Sequence, residues 1–390
     1  MVDINQKSIK IGFVGWNPFQ LSHVKELLIA MPSAVFILEQ KKTDYEYAFS
    51  KELLAGIETQ IIRVKQHRMQ MLDGQYDILV CQTPFKHIHL FSKTRIAMIQ
   101  YGYAKEPHNY GAWRSFADLN LTFGAYAAEK ISHFSNVLAV GHPKFDLWGD
   151  LNFHEKSRLK FQAMLNPNKK TVLYAPTWGE LSTVDQYLDA VCALSSQYNV
   201  LVKLHHNSIL LSKAQQQNLN TNNSVHFVGL SADMFELLSV TDVLISDYSG
   251  AIFDAILCEK PVVLLDLDKD VLAVAKLDEY SLEYRRRDEL GARVDKPQDL
   301  LHIVTGVLSG AVGGVLLQTQ ALRDELFVSQ VGCVARIREA VMRLAQGEFQ
   351  PEQHHLYVRQ EMQALYQYKN KNRLQNLLPA LQLFKRNGQS

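Results

Sequence analysis

The sequence predicts an α/β protein with two Rossmann-like domains, each built on a parallel β-sheet. Three observations lead to this prediction. A chain of 390 residues is too long for one ordinary hydrophobic core and suits two domains. Short apolar runs alternate with helical segments, and this series occurs twice along the chain. The segment Gly141-His-Pro-Lys-Phe-Asp146 separates the two series, because its glycine and proline interrupt the alternation.

Apolar runs predict the strands of the first domain, and helical periodicity over residues 21–31 predicts a helix between the first two. These runs lie at residues 10–15, 34–38, 59–64, 77–81, 95–99 and 137–141. Apolar runs on both sides of helical segments are typical of parallel strands that are covered on both faces. We therefore expect the first domain to occupy residues 1–150.

A second set of runs follows the polar turn at residues 166–170. They lie at residues 171–174, 199–203, 225–228, 243–245 and 261–265, with a helix expected over 184–196. This set predicts a second domain over residues 168–345. The helical pattern of the remaining residues predicts a C-terminal helical tail over 346–390.

Composition and charge argue against several classes of function. The formal net charge is +1, so the chain has no overall attraction for nucleic acid, and any anion site must be local. The four cysteines lie far apart, without the paired spacing of a metal site, and read as buried thiols in a reducing compartment. The N-terminus lacks a secretion-signal pattern, and no apolar run is long enough to span a bilayer. We expect a cytoplasmic protein that uses no metal and no cofactor.

The segment at residues 242–254 gives the strongest indication of a ligand site. An apolar strand runs into small and polar residues and then into a helix. At Ser246, Ser249 and Gly250 the backbone could approach a phosphate, which the free N–H groups and dipole of a helix N-terminus favour. The structural alternative is an ordinary capped helix, with Ser249 as the cap and Asp247 in a turn.

Two other strand ends carry side chains suited to the same ligand. Lys203 and His205 are two residues apart, so they share a strand face and could hold a diphosphate and its leaving oxygen. A solvated loop histidine is the alternative for His205. Thr177 and Trp178 follow the strand at 171–174 and border the same crevice, although we expect Trp178 to pack in the core.

Together these segments resemble a known family. Tyr174-Ala-Pro-Thr-Trp178, Lys203-Leu-His205, and Ser246-Asp-Tyr-Ser249 with Phe253-Asp254 are similar to motifs of the CDP-glycerol glycerophosphotransferases. This family contains the teichoic acid primases and polymerases and has GT-B architecture, with two Rossmann-like domains facing a central cleft. Further similarities are Gly141–Asp146, Lys260-Pro261 and the segment from Leu326 to Arg336, so the resemblance spans roughly residues 140–345.

The resemblance implies a role for each matching residue. Donor-binding roles fall on Thr177, Lys203, Ser246, Ser249, Gly250 and Asp254. His205 would be catalytic, through contact with the phosphoryl group or the leaving oxygen, and Asp247 is a second catalytic candidate. The implied reaction transfers glycerol or ribitol phosphate from a CDP-linked donor to a cell-surface polymer or lipid-linked glycan, mainly by positioning and charge stabilisation.

Two departures from the family pattern leave alternatives open. The family usually has a Trp-His-Gly segment in its first domain, whereas this chain reads Gln100-Tyr101-Gly102, and His206 replaces a proline after His205. A tyrosine is a poor general base at neutral pH. His108 is therefore the first choice for the acceptor-activating base, with His23 and His142 as other candidates. A GT-B glycosyltransferase that uses a nucleotide sugar for capsule or lipopolysaccharide synthesis, and a non-catalytic nucleotide-binding subunit, stay possible.

The end of the tail is basic and leucine-bearing. Between Tyr357 and Arg386 there are six Lys or Arg residues against Glu361. Such a segment could hold the protein at the inner face of the membrane through anionic lipids. The alternative, favoured because Pro379 interrupts the helix, is that the tail packs back on the first domain.

Overall fold

The first of two parallel sheets forms the centre of the N-terminal half. The computed structural model describes residues 9–41, 49, 51–205, 225–229, 232–274, 278–312 and 315–369. The strands of the first sheet are β1 Ile11–Gly15, β2 Val35–Gln40, β3 Ile61–Lys65, β4 Ile78–Cys81, β5 Arg95–Ile99, β6 Leu119–Thr122 and β7 Val137–Ala139. They pair in the order β3-β2-β1-β4-β5-β6-β7, and every pairing is parallel.

The second sheet repeats this organisation. Its strands are β8 Thr171–Tyr174, β9 Asn199–Val202, β10 Val225–Phe227, β11 Val243–Ser246, β12 Val262–Leu265 and β13 Ala292–Val294. Their order is β10-β9-β8-β11-β12-β13, again all parallel. In each sheet the strand order reverses beside the first strand, between β1 and β4 and between β8 and β11. Ligands of open α/β sheets bind beyond the strand ends at such switch points.

Helices cover the faces of both sheets. Their bounds are Pro18–Ala30, Lys51–Leu54, Glu106–Asn109, Ala125–Ser132, Phe145–Trp148, Leu151–Phe161, Val184–Ala193, Met234–Ser239, Ala251–Leu257, Lys269–Val274, Leu282–Arg285, Arg287–Leu290, Leu300–Ser309, Val315–Leu326, Cys333–Ala345 and residues 353–369. Among the described helices, none is long and apolar enough to cross a bilayer. Both halves are therefore layered α/β domains, as the sequence predicted.

A continuous apolar core joins the two halves. The ring of Tyr103, in the first half, packs 5.5 Å from the ring of Phe253 in the second, and its hydroxyl donates to the carbonyl oxygen of Leu326. A Cβ on Gly124 would lie 1.9 Å from that same carbonyl oxygen, so only glycine permits this approach. The chain after the second sheet is thus seated against the first domain.

The C-terminal helices complete the first domain. The carboxylate of Asp146 accepts hydrogen bonds from the backbone N–H groups of Gly332, Cys333 and Val334, which begin the helix Cys333–Ala345. This helix packs on the helix Pro18–Ala30 and on β5, although the sequence placed it within the second domain. A carboxylate at a helix N-terminus satisfies otherwise unpaired N–H groups.

The start of the tail packs on the first domain as well. Arg359 donates to the carbonyl oxygens of Ser115 and Ala117 and pairs with Asp118 at 2.9 Å. The ring of Tyr366 meets the ring of Phe116 at 5.0 Å. For residues 357–369 the packing alternative is therefore confirmed. Residues 370–386, with the leucines and Pro379, lie outside the described residues.

Candidate active site

The two domains face each other across a cleft lined by the carboxyl ends of both sheets. The hydroxyl of Ser22 donates to Asp233 across this cleft at 2.9 Å, and the ammonium of Lys144 forms an ion pair with the same carboxylate. Lys144 holds the pKa of Asp233 well below its usual range despite the burial of that carboxyl. Deeper in the cleft, a Cβ on Gly250 would lie 3.9 Å from the Cβ of Ala104. The loops after β5 and β11 are therefore near neighbours.

Asp247 ties together two loops of the second domain. Its side chain is fully buried and accepts hydrogen bonds from the backbone N–H groups of Thr177 at 2.7 Å and Thr183 at 3.1 Å. The hydroxyl of Thr183 and the N–H of Tyr248 complete its partners. Burial raises the pKa of Asp247, and these hydrogen bonds oppose the rise. The sequence proposed a catalytic role, but this enclosed carboxyl has the geometry of a positioning residue.

The two serines of the loop after β11 also contact protein backbone. Ser246 is fully buried, and its hydroxyl donates to the carbonyl oxygen of Ala175 at 2.7 Å, so its proton is not directed at a donor phosphate. The hydroxyl oxygen of Ser249 accepts from the N–H of Ala251 at 3.3 Å, but the N-cap of the helix Ala251–Leu257 is Gly250, so the prediction of Ser249 as the cap was wrong. Gly250 is exposed to the cleft, so it offers its backbone to a ligand.

Arg287 is a residue of this site that the sequence did not reveal. Its guanidinium donates to the backbone carbonyl oxygens of Asp247 at 2.8 Å and Leu265 at 2.7 Å, lies 4.2 Å from the ring centre of Tyr248, and pairs with buried Asp266. These contacts hold the loop after β11 in place. In the sequence Arg287 belongs to a run of three arginines, which reads as a solvated charged surface.

Lys203 and His205 lie at the end of β9, as predicted. Burial lowers the pKa of Lys203 to about 8, opposed by Asp233 and assisted by Lys144. The ring of His205 stacks on that of Trp178 at 5.8 Å. Trp178 is 45% exposed, so the expectation that it packs in the core was wrong. His206, the departure from the family pattern, lies outside the described residues.

Asp254 lies one turn into the helix Ala251–Leu257. Burial raises the pKa of its carboxyl to about 7, with Lys144 opposing the rise and Asp233 adding to it. A carboxyl in this range changes its charge near neutral pH and can exchange a proton with a ligand. Its predicted place near the transferred group stays a prediction.

The three histidines considered for the first domain occupy different surroundings. His23 is half-buried on the cleft, where its ring stacks on Tyr101 at 5.4 Å. His142 is buried between aromatic rings, 4.5 Å from that of Phe123, and its Nδ1 accepts from the backbone N–H of Lys144. His108 is exposed on the short helix Glu106–Asn109. His23 therefore lies beside the residue that replaces the family histidine.

Comparison with known proteins finds a family that part of the chain resembles. Residues 122–305 match the family model described as CDP-glycerol:poly(glycerophosphate) glycerophosphotransferase. Over these residues, slightly less than half of its length, the chain resembles this family. The match contains the loop after β8, the end of β9 and the loop after β11, which together form the second-domain side of the cleft.

Curated relatives match over about a third of the chain. A teichoic acid poly(ribitol-phosphate) polymerase from Bacillus spizizenii is 32% identical over 147 residues, which is 35% of this chain and 23% of that protein. A teichoic acid glycerol-phosphate primase from Bacillus subtilis is 27% identical over 142 residues, or 34% of each chain. The chain thus matches about a third or less of the length of these relatives.

Solved structures show that the whole fold is shared. The wall teichoic acid polymerase TagF superposes with a TM-score of 0.63 at 18% identity, covering 87% of this chain and 89% of that one. A UDP-GlcNAc 2-epimerase from Neisseria meningitidis, bound to UDP-GlcNAc, gives a TM-score of 0.56 at 12% identity, covering 86% and 100%. At these identities the likeness concerns the fold, which is GT-B.

Proposed function

We propose that this protein is a transferase that moves an alditol phosphate from a CDP-linked donor to a polymer or lipid-linked glycan. The observation that carries the proposal is the family match, because its residues supply one whole side of the cleft. Lys203, His205, Gly250 and Asp254 all lie within it and border the space between the domains. Among the described residues, no group of three metal-binding side chains occurs.

The donor diphosphate would bind beside the loop after β11. Gly250 offers its backbone there, and the ammonium of Lys203 supplies positive charge from the end of β9. Charge-assisted hydrogen bonds to phosphate are the strong ones, so one lysine in a half-buried cleft contributes substantially to affinity. Hydrogen bonds of Asp247 and Arg287 hold this loop in place.

The transfer itself would be an in-line displacement at phosphorus. The acceptor hydroxyl forms the new P–O bond, and the bond between phosphorus and the oxygen of CMP breaks. CMP leaves with the electron pair, and the hydroxyl proton passes to a basic group or to water. His205 and Lys203 stabilise the leaving phosphate, because charge stabilisation and positioning supply most of the catalysis of phosphoryl transfer.

The acceptor would approach from the first domain, where Tyr101 and His23 line the opposite side of the cleft. A polyol or sugar hydroxyl suits this polar and aromatic surface. If a lipid-linked acceptor is used, membrane contact would come from residues beyond the packed helix at 353–369.

Donor specificity tests the proposal directly. The protein is incubated separately with CDP-glycerol, CDP-ribitol and UDP-sugars, with and without a teichoic-acid-type acceptor, and released CMP and UDP are measured. Acceptor-dependent release of CMP is the expected result. Release of UDP alone would favour sugar transfer, and nucleotide binding without any release would favour a non-catalytic subunit.

A further inference from the structure

His23 is placed by a well-defined helix start. The carboxamide oxygen of Asn17 accepts from the N–H of Gln20 at 2.8 Å, and Pro18 occupies the first turn. The helix Pro18–Ala30 follows β1, so its first turns lie at the switch point of the first sheet. His23 lies in the second turn of this helix, where its half-buried ring contacts Tyr101 and His142.

One nitrogen of His23 is occupied by the protein. Its Nδ1 lies 3.1 Å from the carboxamide nitrogen of Gln82, which follows β4 and is 2% exposed. The other ring nitrogen is Nε2, and Lys144 and Asp233 are the charged groups that act on this ring. Among the described residues, no group forms a hydrogen bond with Nε2. Stacking on Tyr101 and an edge contact with His142 at 6.0 Å fix the ring plane.

The surroundings of Gln82 determine which nitrogen of His23 carries the proton. The carboxamide nitrogen also lies 3.4 Å from the carbonyl oxygen of Gln100, which only a donor can approach favourably. Within the part of the chain that the structure describes, the carboxamide oxygen of Gln82 has no hydrogen-bond partner. Reversing the amide would leave a buried NH2 group unpaired instead, and orphaned donors are rarer than orphaned carbonyls. Gln82 therefore donates to Nδ1, which places the proton of His23 on Nε2.

His23 is neutral in this environment. Burial lowers its pKa to about 3, Lys144 lowers it further, and Asp233 opposes the change. The pKa of neighbouring His142 is also lowered by burial, and the phenol of Tyr101 faces the ring. A neutral imidazole with its proton on Nε2 is a hydrogen-bond donor at that atom and a weak base.

We propose that His23 is a catalytic residue that donates a hydrogen bond from Nε2 to a non-bridging oxygen of the transferred phosphoryl group, with Gln82 as the residue that fixes its tautomer. This role rests on the proposed transferase function. It replaces the expectation of a proton-accepting histidine in the first domain with a donor. A fixed donor that meets developing negative charge is the arrangement that stabilises oxyanions.

Two substitutions at His23 separate a donor from a base. His23→Gln keeps an N–H donor, whereas His23→Leu removes it. With CDP-glycerol and acceptor, we expect His23→Leu to lower kcat about 100-fold, in the range for loss of one oxyanion donor, and His23→Gln to restore at least a tenth of the wild-type rate. Exposed His133→Gln is the matched control and should be fully active. Equal loss in both His23 variants would overturn the donor role.

The tautomer is tested independently of turnover. Nitrogen-15 spectra of histidine-labelled wild-type protein should show His23 protonated at Nε2, with that signal shifting when CDP-glycerol is added. Gln82→Glu should move the proton to Nδ1, because a carboxylate accepts it there, and should lower kcat. A wild-type Nδ1–H form, or a faster Gln82→Glu enzyme, would overturn the inference. A wild type that releases no CMP would instead count against the proposed function, while the spectra would still report the tautomer.

Discussion

The two sides of the cleft use their polar side chains differently. On the second-domain side, Asp247 and Ser246 are buried and bonded to neighbouring protein groups, so they shape the loop after β11. On the first-domain side, the Nε2 of His23 has no hydrogen-bond partner among the described residues. The most recognisable motif of the sequence, Ser246-Asp-Tyr-Ser249, therefore holds the loops of the site in place. Groups that can reach a ligand lie around it, at Lys203 and His23.

Removing the carboxylate of Asp247 should have the largest effect on the stability of the folded protein. Asp247→Ala leaves the N–H groups of Thr177 and Thr183 buried without an acceptor, so we expect a loss of roughly 3 kcal/mol of stability, from about 1–3 kcal/mol for each unsatisfied group. Urea unfolding measures this loss. Asp247→Asn retains an acceptor and should lose less. Full stability with abolished turnover would return Asp247 to the catalytic role that the sequence first suggested.

His205 should show the opposite behaviour, with a large effect on rate and a small one on stability. We expect His205→Ala to lower kcat by about ten- to a thousand-fold, the range for acid–base or electrostatic assistance, because its ring borders the cleft on Trp178. Its melting temperature should stay near that of the wild type. His133→Ala, on an exposed turn, is the control. An unchanged rate would shift the catalytic assistance entirely to the first-domain side.

The charge of Lys203 should make donor binding depend on pH. Its folded pKa of about 8 lies below the ordinary lysine value, so the ammonium is present below pH 8 and is lost as the pH rises through it. Calorimetry with CDP-glycerol should show affinity falling about tenfold between pH 7 and pH 9.5, the size of one charge-assisted contact. Lys203→Arg should abolish this fall, since arginine stays charged.

The same shift gives a stability effect of opposite sign. Between pH 8 and the ordinary lysine pKa the unfolded chain binds more protons than the folded one. The free energy of unfolding of the ligand-free protein should therefore rise with pH over that interval through this group. A pH-independent affinity in calorimetry would show that Lys203 does not touch the diphosphate.

Ser249 should have the smallest effect. Its hydroxyl oxygen accepts from Ala251, which leaves the hydroxyl proton available to a phosphate. We expect Ser249→Ala to weaken nucleotide binding by about 1 kcal/mol, while Ser249→Thr keeps most of it. Titration of both variants with the donor tests this. An unchanged affinity for the donor would show that Ser249, like Ser246, only holds the loop in place.

Most strands of both sheets could be predicted from the sequence, because short apolar runs between helical segments are typical of buried parallel strands. Two strands were missed. In β6, Asn120 interrupts the apolar run, but it is buried and bonded to Ser135 and to Arg114. In β13, Arg293 lies mid-strand and pairs with Asp266. Hydrophobic periodicity does not identify a strand in which a buried polar residue forms hydrogen bonds with a residue distant in sequence.

The sequence predicted which segments of the chain form the site. It did not predict which way each side chain in those segments points. The strand ends that carry Lys203 and His205 were located correctly, since ligands of such sheets bind there. Whether a side chain faces the cleft depends on contacts between distant residues. Trp178 is 45% exposed even though His205 stacks on it, and Arg287 is buried where Asp266 pairs with it. His23 lies beside Tyr101 only after two strands and a helix have been assembled.

The carboxylate of Asp146 has a mechanical consequence. The chain passes between the domains twice, once near residues 142–150 and again near residues 326–334, and Asp146 clamps the second passage to the first. Because these hydrogen bonds join the two passages, the domains are connected at two points of the chain and not by a single tether. A protease cut in one passage would still leave the halves fastened by the other.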